Sequence, residues 1–117
     1  MSTIFHIIRK EAWRNTKEAK IYAPESLYSE GFIHCSTLET VVEVANYLFK
    51  GQSDLLLLCI DLDKVEAKVL FERVGQEERW VFPHIYGALN VDAIIQEIEF
   101  KPDSNGLFSL PPQITTT

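Results

Sequence analysis

The chain holds three histidines, and each stands in or beside a short apolar stretch: Ile4-Phe5-His6-Ile7-Ile8, Phe32-Ile33-His34-Cys35 and Phe82-Pro83-His84-Ile85. An imidazole in such a setting needs a hydrogen-bond partner, because burying a polar group without one costs free energy. Read singly, each is a satisfied core or rim histidine. Read together, they point to neighbouring strand edges that meet at one crevice, where a ring that titrates near neutrality serves as acid or base. His34 and His84 are therefore the candidate catalytic groups, with Glu72, which shares a strand face with Leu70, as the candidate carboxylate. His6, Tyr22, Ser36 and Tyr86 are the candidates for holding a ligand, since rings and hydroxyls around a polar crevice suit a flat heteroaromatic molecule. Ser36 has a competing structural reading as a helix cap.

Zinc is the first metal to consider. Three histidines and Cys35 have the right donor atoms, but the chain has neither H-E-x-x-H nor C-x-x-C spacing. On a strand, Cys35 also points away from His34. No metal is expected.

The elements that must position these residues read as a mixture of strands and helices. Ile4 to Ile8 reads as a strand and Arg9 to Ala19 as a helix, with Ala12, Trp13, Thr16 and Ala19 on its apolar side. Ile21 to Gly31 looks like a connection carrying Tyr22, Leu27 and Tyr28. Phe32 to Cys35 is a second strand. Ser36-Thr37-Leu38-Glu39 fits a capping box, opening a helix whose Val41, Val44, Ala45 and Leu48 share a face and which Gly51 stops. Leu55 to Ile60 is apolar on both faces and predicts a central strand. Lys68 to Val74 alternates, Trp80 to Tyr86 is an aromatic strand or loop edge, and Asn90 caps a short turn around Val91 to Ile94. Glu97 to Lys101 is the last strand, with Ile98 and Phe100 inward. Without strict βαβ alternation the fold class is α+β, a small split and mainly antiparallel sheet with flanking helices. Residues 1–102 form one domain, and 103–117, with Pro102, Gly106 and Pro111-Pro112, reads as a loosely ordered tail.

Composition narrows the partners. Asp and Glu number 17 against 11 Lys and Arg, so the net charge of −6 disfavours a nucleic-acid partner. The basic cluster Arg9, Lys10, Arg14, Lys17 and Lys20 reads as a solvated helix face. The apolar run Leu55 to Ile60 is too short to cross a bilayer, and the N-terminus has no signal-peptide pattern. Cys35 and Cys59 read as reduced core thiols, so the expected location is the cytoplasm.

Two segments carry a resemblance. Gly31-Phe32-Ile33-His34-Cys35-Ser36 and Phe82-Pro83-His84-Ile85-Tyr86-Gly87 resemble the signature blocks of a bacterial family catalogued as domain of unknown function 952. The likeness continues through Trp13, Tyr22 to Leu27, Asp54 to Asp61 and Glu72, and covers about residues 4 to 100. It implies a fold similar to the ADP-ribosyltransferases, which grip NAD in a central cleft. His6, Trp13, Gly31 and the His34 strand follow the motif order of RNA 2′-phosphotransferases and poly-ADP-ribose polymerases. By that likeness His6 holds the nicotinamide-side ribose and His34 lines the nicotinamide pocket. Ile7 and Ile8 replace the Gly and Thr that follow the first histidine in those enzymes, and His84 stands where many of them carry Glu.

The expected function is that of a transferase or hydrolase acting on NAD, or on an ADP-ribosylated or phosphorylated small molecule. The alternative is a non-catalytic nucleotide or small-molecule binding module, toward which the missing carboxylate leans. A third reading has the histidines merely packed.

Overall fold

The computed structural model describes residues 2–16 and 18–114. Leu55-Leu56-Leu57-Leu58-Cys59-Ile60-Asp61 forms a strand, β4, that lies between β1 (Thr3–Arg9) and β8 (Ile94–Phe100), both antiparallel to it. Its apolarity on both faces follows from what covers it. Leu58 and Ile60 join Ile4 and Ile8 of β1 in one core, with Trp13, Ile33 and Ile85. Leu55, Leu57 and Cys59 join Phe5, Ile98 and Phe100 in a second core on the opposite face, closed by Val41, Ala45 and Phe108. A sheet sandwiched in this way has no wet face, so the usual polar alternation disappears from its central strand.

The other strands complete two further antiparallel sheets among the described residues. β3 (Ile33–His34) and β5 (Lys68–Arg73) flank β6 (Val81–Tyr86), and β2 (Ile21–Tyr22) pairs with β7 (Leu89–Asn90). A bridge between Phe5 and Ser36 ties the β1 edge to the chain leaving β3. The described helices are α1 (Lys10–Thr16), α2 (Glu25–Ser29) and α3 (Val41–Leu48). The fold is thus α+β with antiparallel sheets, as the mixture of periods predicts.

Several expectations are corrected. The first helix is shorter than Arg9–Ala19, and of its apolar side only Trp13 is buried. Ile21 to Gly31 is not a bare connection but contains β2 and α2. Its exit turn needs Gly31, whose φ of +93° disfavours a side chain. The capping box at Ser36 to Glu39 does not form, because α3 begins at Val41 after Thr40. Ser36 exchanges backbone hydrogen bonds with Phe5 instead, at 2.9 and 2.7 Å. On α3, Val41 and Ala45 are buried while Leu48 is exposed. Trp80 lies before β6, and the last strand starts earlier than Glu97, at Ile94.

The segment after Pro102 makes specific contacts with the core. Asn46 of α3 clamps the Phe108 backbone, accepting its N–H at 2.6 Å and donating to its carbonyl at 3.3 Å. Phe108 itself packs on Phe100, with ring centroids 4.7 Å apart. Phe108 is therefore held in the second core while most of residues 103–114 stays exposed, and 115–117 lie outside the described residues.

Candidate functional site

The strand period places the chemistry. On β6, Pro83 and Ile85 face the core, so Phe82, His84 and Tyr86 share the other face. On β3, Ile33 is buried and His34 is exposed; Cys35 is buried again after the strand ends. His34 and His84 are direct cross-strand partners, and their rings stand 5.8 Å apart at a 77° interplanar angle. Phe32, two residues before His34, stacks on His84 at 4.0 Å and meets His34 edge-on at 4.8 Å.

Each of these two imidazoles is held by a carboxylate. His84 Nδ1–H donates to Glu72 Oε1 at 2.7 Å, and the Tyr86 hydroxyl donates to the same oxygen. A carboxylate only accepts, so Nδ1 carries the proton and Nε2 is the atom left to a ligand. The Tyr86 bond, with the His84 bond behind it, holds the Glu72 carboxyl below its ordinary pKa; Glu72 in turn pushes the Tyr86 phenol up. His34 Nε2–H donates to Glu30 Oε2 at 3.0 Å.

His6 is differently placed. Its Nδ1–H donates to the His34 carbonyl at 2.6 Å, and its Nε2 accepts the Tyr22 hydroxyl proton at 2.8 Å. Burial pushes its pKa down to about 4; the carbonyl bond opposes that shift and the nearby His34 adds to it. The ring is therefore neutral at pH 7, with both nitrogens already served. Burial also pushes the Tyr22 phenol up, so it stays protonated and acts as the donor.

An open groove of about 1350 Å³ is lined by residues of β1, β3, β6 and α3. His6, Tyr22, His34, Ser36 and His84 all line it. Glu72 and Tyr86 stand outside the lining and reach the groove through His84. Ser36 lies 5% exposed with its backbone committed to Phe5, so its placement serves the fold first. Arg79 of the β5–β6 turn pairs with Glu43 of α3 at 2.6 Å and covers Trp80 at 4.1 Å, and both of these partners line the groove.

The groove is large enough for a dinucleotide, since typical ligand pockets measure about 300–1,000 Å³. Its rings suit heteroaromatic groups. A pyrophosphate fits less well: Arg9 is the one Lys or Arg among the described lining residues, it already pairs with Asp54 at 3.5 Å, and Glu30 and Glu43 line the same space. Among the described residues, no group of three or more His, Cys, Asp or Glu side chains converges to hold a metal ion. No helix there is long and apolar enough to cross a membrane.

Sequence reasoning missed Phe32 and Glu30. Phe32 was legible, because residues two apart on a strand share a face and His34 was already singled out. Glu30 was not, because its position depends on α2.

The fold is similar to that of protein CC0527 from Caulobacter crescentus. The crystal structure of that protein matches with a TM-score of 0.79 and 26% identity, over 92% of this chain and 94% of that one. Its solution NMR structure matches with a TM-score of 0.77 and 28% identity, over 92% and 91%. No curated protein matches. A family model spans residues 7–97, which takes in both His34 and His84. The chain belongs to the family described as protein of unknown function DUF952.

Proposed function

We propose that the chain is a transferase or hydrolase built on an ADP-ribosyltransferase-like frame. Its substrate is NAD or an ADP-ribosylated or phosphorylated small molecule, bound in the histidine-lined groove. The observation that carries this reading is the 2.7 Å bond from His84 to Glu72, on a ring stacked against Phe32 and opposite His34. The carboxylate sets the tautomer, leaves Nε2 as proton acceptor and stabilises the imidazolium once the proton arrives. A histidine so placed contributes about 10²–10⁴-fold to rate. Phe32 and Phe82 supply a flat apolar wall for a heteroaromatic ring, and Tyr22 supplies the hydroxyl beside it. His6 holds Tyr22 rather than the ligand, since both its nitrogens are in use.

A second reading, a non-catalytic nucleotide or small-molecule binding module, is favoured by that same closure of His6. One experiment separates the two: thermal denaturation and product analysis with NAD, ADP-ribose and nicotinamide at millimolar concentration. A ligand at a hundred times its dissociation constant adds about 2.7 kcal/mol. On the catalytic reading, His84→Ala and Glu72→Gln lose about 10²-fold or more in turnover while keeping the thermal shift. A shift without turnover leaves the binding module. No shift with any of the three compounds removes this ligand class.

A further inference from the structure

We infer that Glu30 and His34 form a second acid–base pair facing Glu72–His84, which fits the groove to substrates whose departing atom is an oxygen. The inference rests on the catalytic reading above and narrows its substrate class. The two pairs are built alike but from opposite ring atoms: Nε2 of His34 is held by Glu30, Nδ1 of His84 by Glu72. Their spacing is set by direct cross-strand register, not by loops, and Phe32 touches both rings. The groups facing His34 are Glu30 from the end of α2, His84 of β6 with Glu72 behind it, and His6 of β1 through the backbone carbonyl.

One imidazole is enough when the leaving group departs neutral. Cleaving the glycosidic C–N bond of NAD sends the bonding pair onto the pyridinium nitrogen, cancels its charge and releases nicotinamide with no proton required. A leaving alkoxide differs, because it must be protonated as its C–O or P–O bond breaks. In that step His84 Nε2 takes a proton from water as the water oxygen bonds to carbon or phosphorus. Protonated His34 gives its proton to the departing oxygen. The sum is R–O–X plus water giving R–OH plus HO–X, and solvent exchange resets the two rings. His34 has a half-exposed side chain, 54% against 8% for His84, which suits the ring that exchanges its proton with water. Glu30 is a positioning residue: at 52% exposure its ion pair adds little to stability, so its removal isolates the effect on His34.

The test uses the full chain with O-methyl ADP-ribose and NAD, which share the ADP-ribosyl part and differ in the leaving group. The expected result is conversion of O-methyl ADP-ribose to ADP-ribose and methanol. Glu30→Gln should lower that turnover about tenfold and His34→Ala about a hundredfold, each more than any loss on NAD. Glu30→Gln should act on kcat and leave KM unchanged, since Glu30 orients His34 and does not touch the substrate. Turnover of NAD alone overturns the inference and leaves the catalytic reading standing. Turnover of O-methyl ADP-ribose with an unchanged kcat in Glu30→Gln overturns the role of Glu30 and with it the second pair. Turnover of neither compound overturns the inference and the catalytic reading together.

Discussion

His6 shows how far one residue's chemistry depends on its partners. In sequence it is the equal of His34 and His84; in the fold its ring bridges the His34 carbonyl and the Tyr22 hydroxyl and stays neutral. The pKa of about 4 has a consequence for stability. An unfolded histidine titrates near 6.5, so between that pH and about 4 the unfolded chain binds a proton that the folded chain refuses. Stability is full above 6.5 and falls as pH drops through the window, by about 3 kcal/mol for the whole shift. Denaturant titrations of wild type and His6→Gln at several pH values should show that this share of the acid sensitivity is absent from the variant. Equal slopes would mean that His6 is not held neutral. The thiols are insulated by the same cause: burial pushes Cys59 up to about 11 and Cys35 further.

At the scale of elements, the stretch from Ser36 to Thr40 separates two uses of hydroxyl side chains. Ser36 has the sequence of a cap but the backbone pairing of a strand, because Phe5 of β1 lies beside it. Thr40, just before α3, has the side chain with the local task. Its Oγ1 accepts the Thr37 N–H at 3.2 Å and shares a 2.9 Å hydrogen bond with the Thr37 hydroxyl. Removing such an acceptor leaves a donor unsatisfied and costs about 1–3 kcal/mol, whereas losing a cap typically costs about 1 kcal/mol. Thr40→Ala should therefore destabilise by about 1–2 kcal/mol. Ser36→Ala should change stability by less than about 0.5 kcal/mol, below the cost of a lost cap. Urea melts compare the two directly, and the reverse order would restore the capping box.

Across the whole molecule, Phe108 ties the segment after Pro102 to α3 and β8. Phe108 is 4% exposed in the second core. A buried Phe→Ala change costs about 3–5 kcal/mol, so Phe108→Ala should approach the damage done by removing everything after Pro102. Asn46→Ala should cost about 1–3 kcal/mol, because it orphans the Phe108 N–H that it now accepts. Thermal denaturation of the three variants checks this. A truncated chain that melts with the wild type would show that the segment adds nothing to the fold.

Periodicity and residue type were enough to determine the α+β class, β4 as the central strand and the apolar partners Ile98 and Phe100. These follow from local patterns, namely the period of the strands and the apolarity of a strand covered on both faces. What local pattern could not supply was pairing. Only the folded chain decided that Ser36 bonds to Phe5, that His6 spends both nitrogens on Tyr22 and His34, and that Glu30 and Glu72 each hold one catalytic candidate. The side-chain contacts among these join residues 28, 16, 4 and 12 positions apart. Three of the four separations cross between elements, and the shortest depends on how α2 ends and Gly31 turns, so their partners are chosen by sheet register and the path of the backbone.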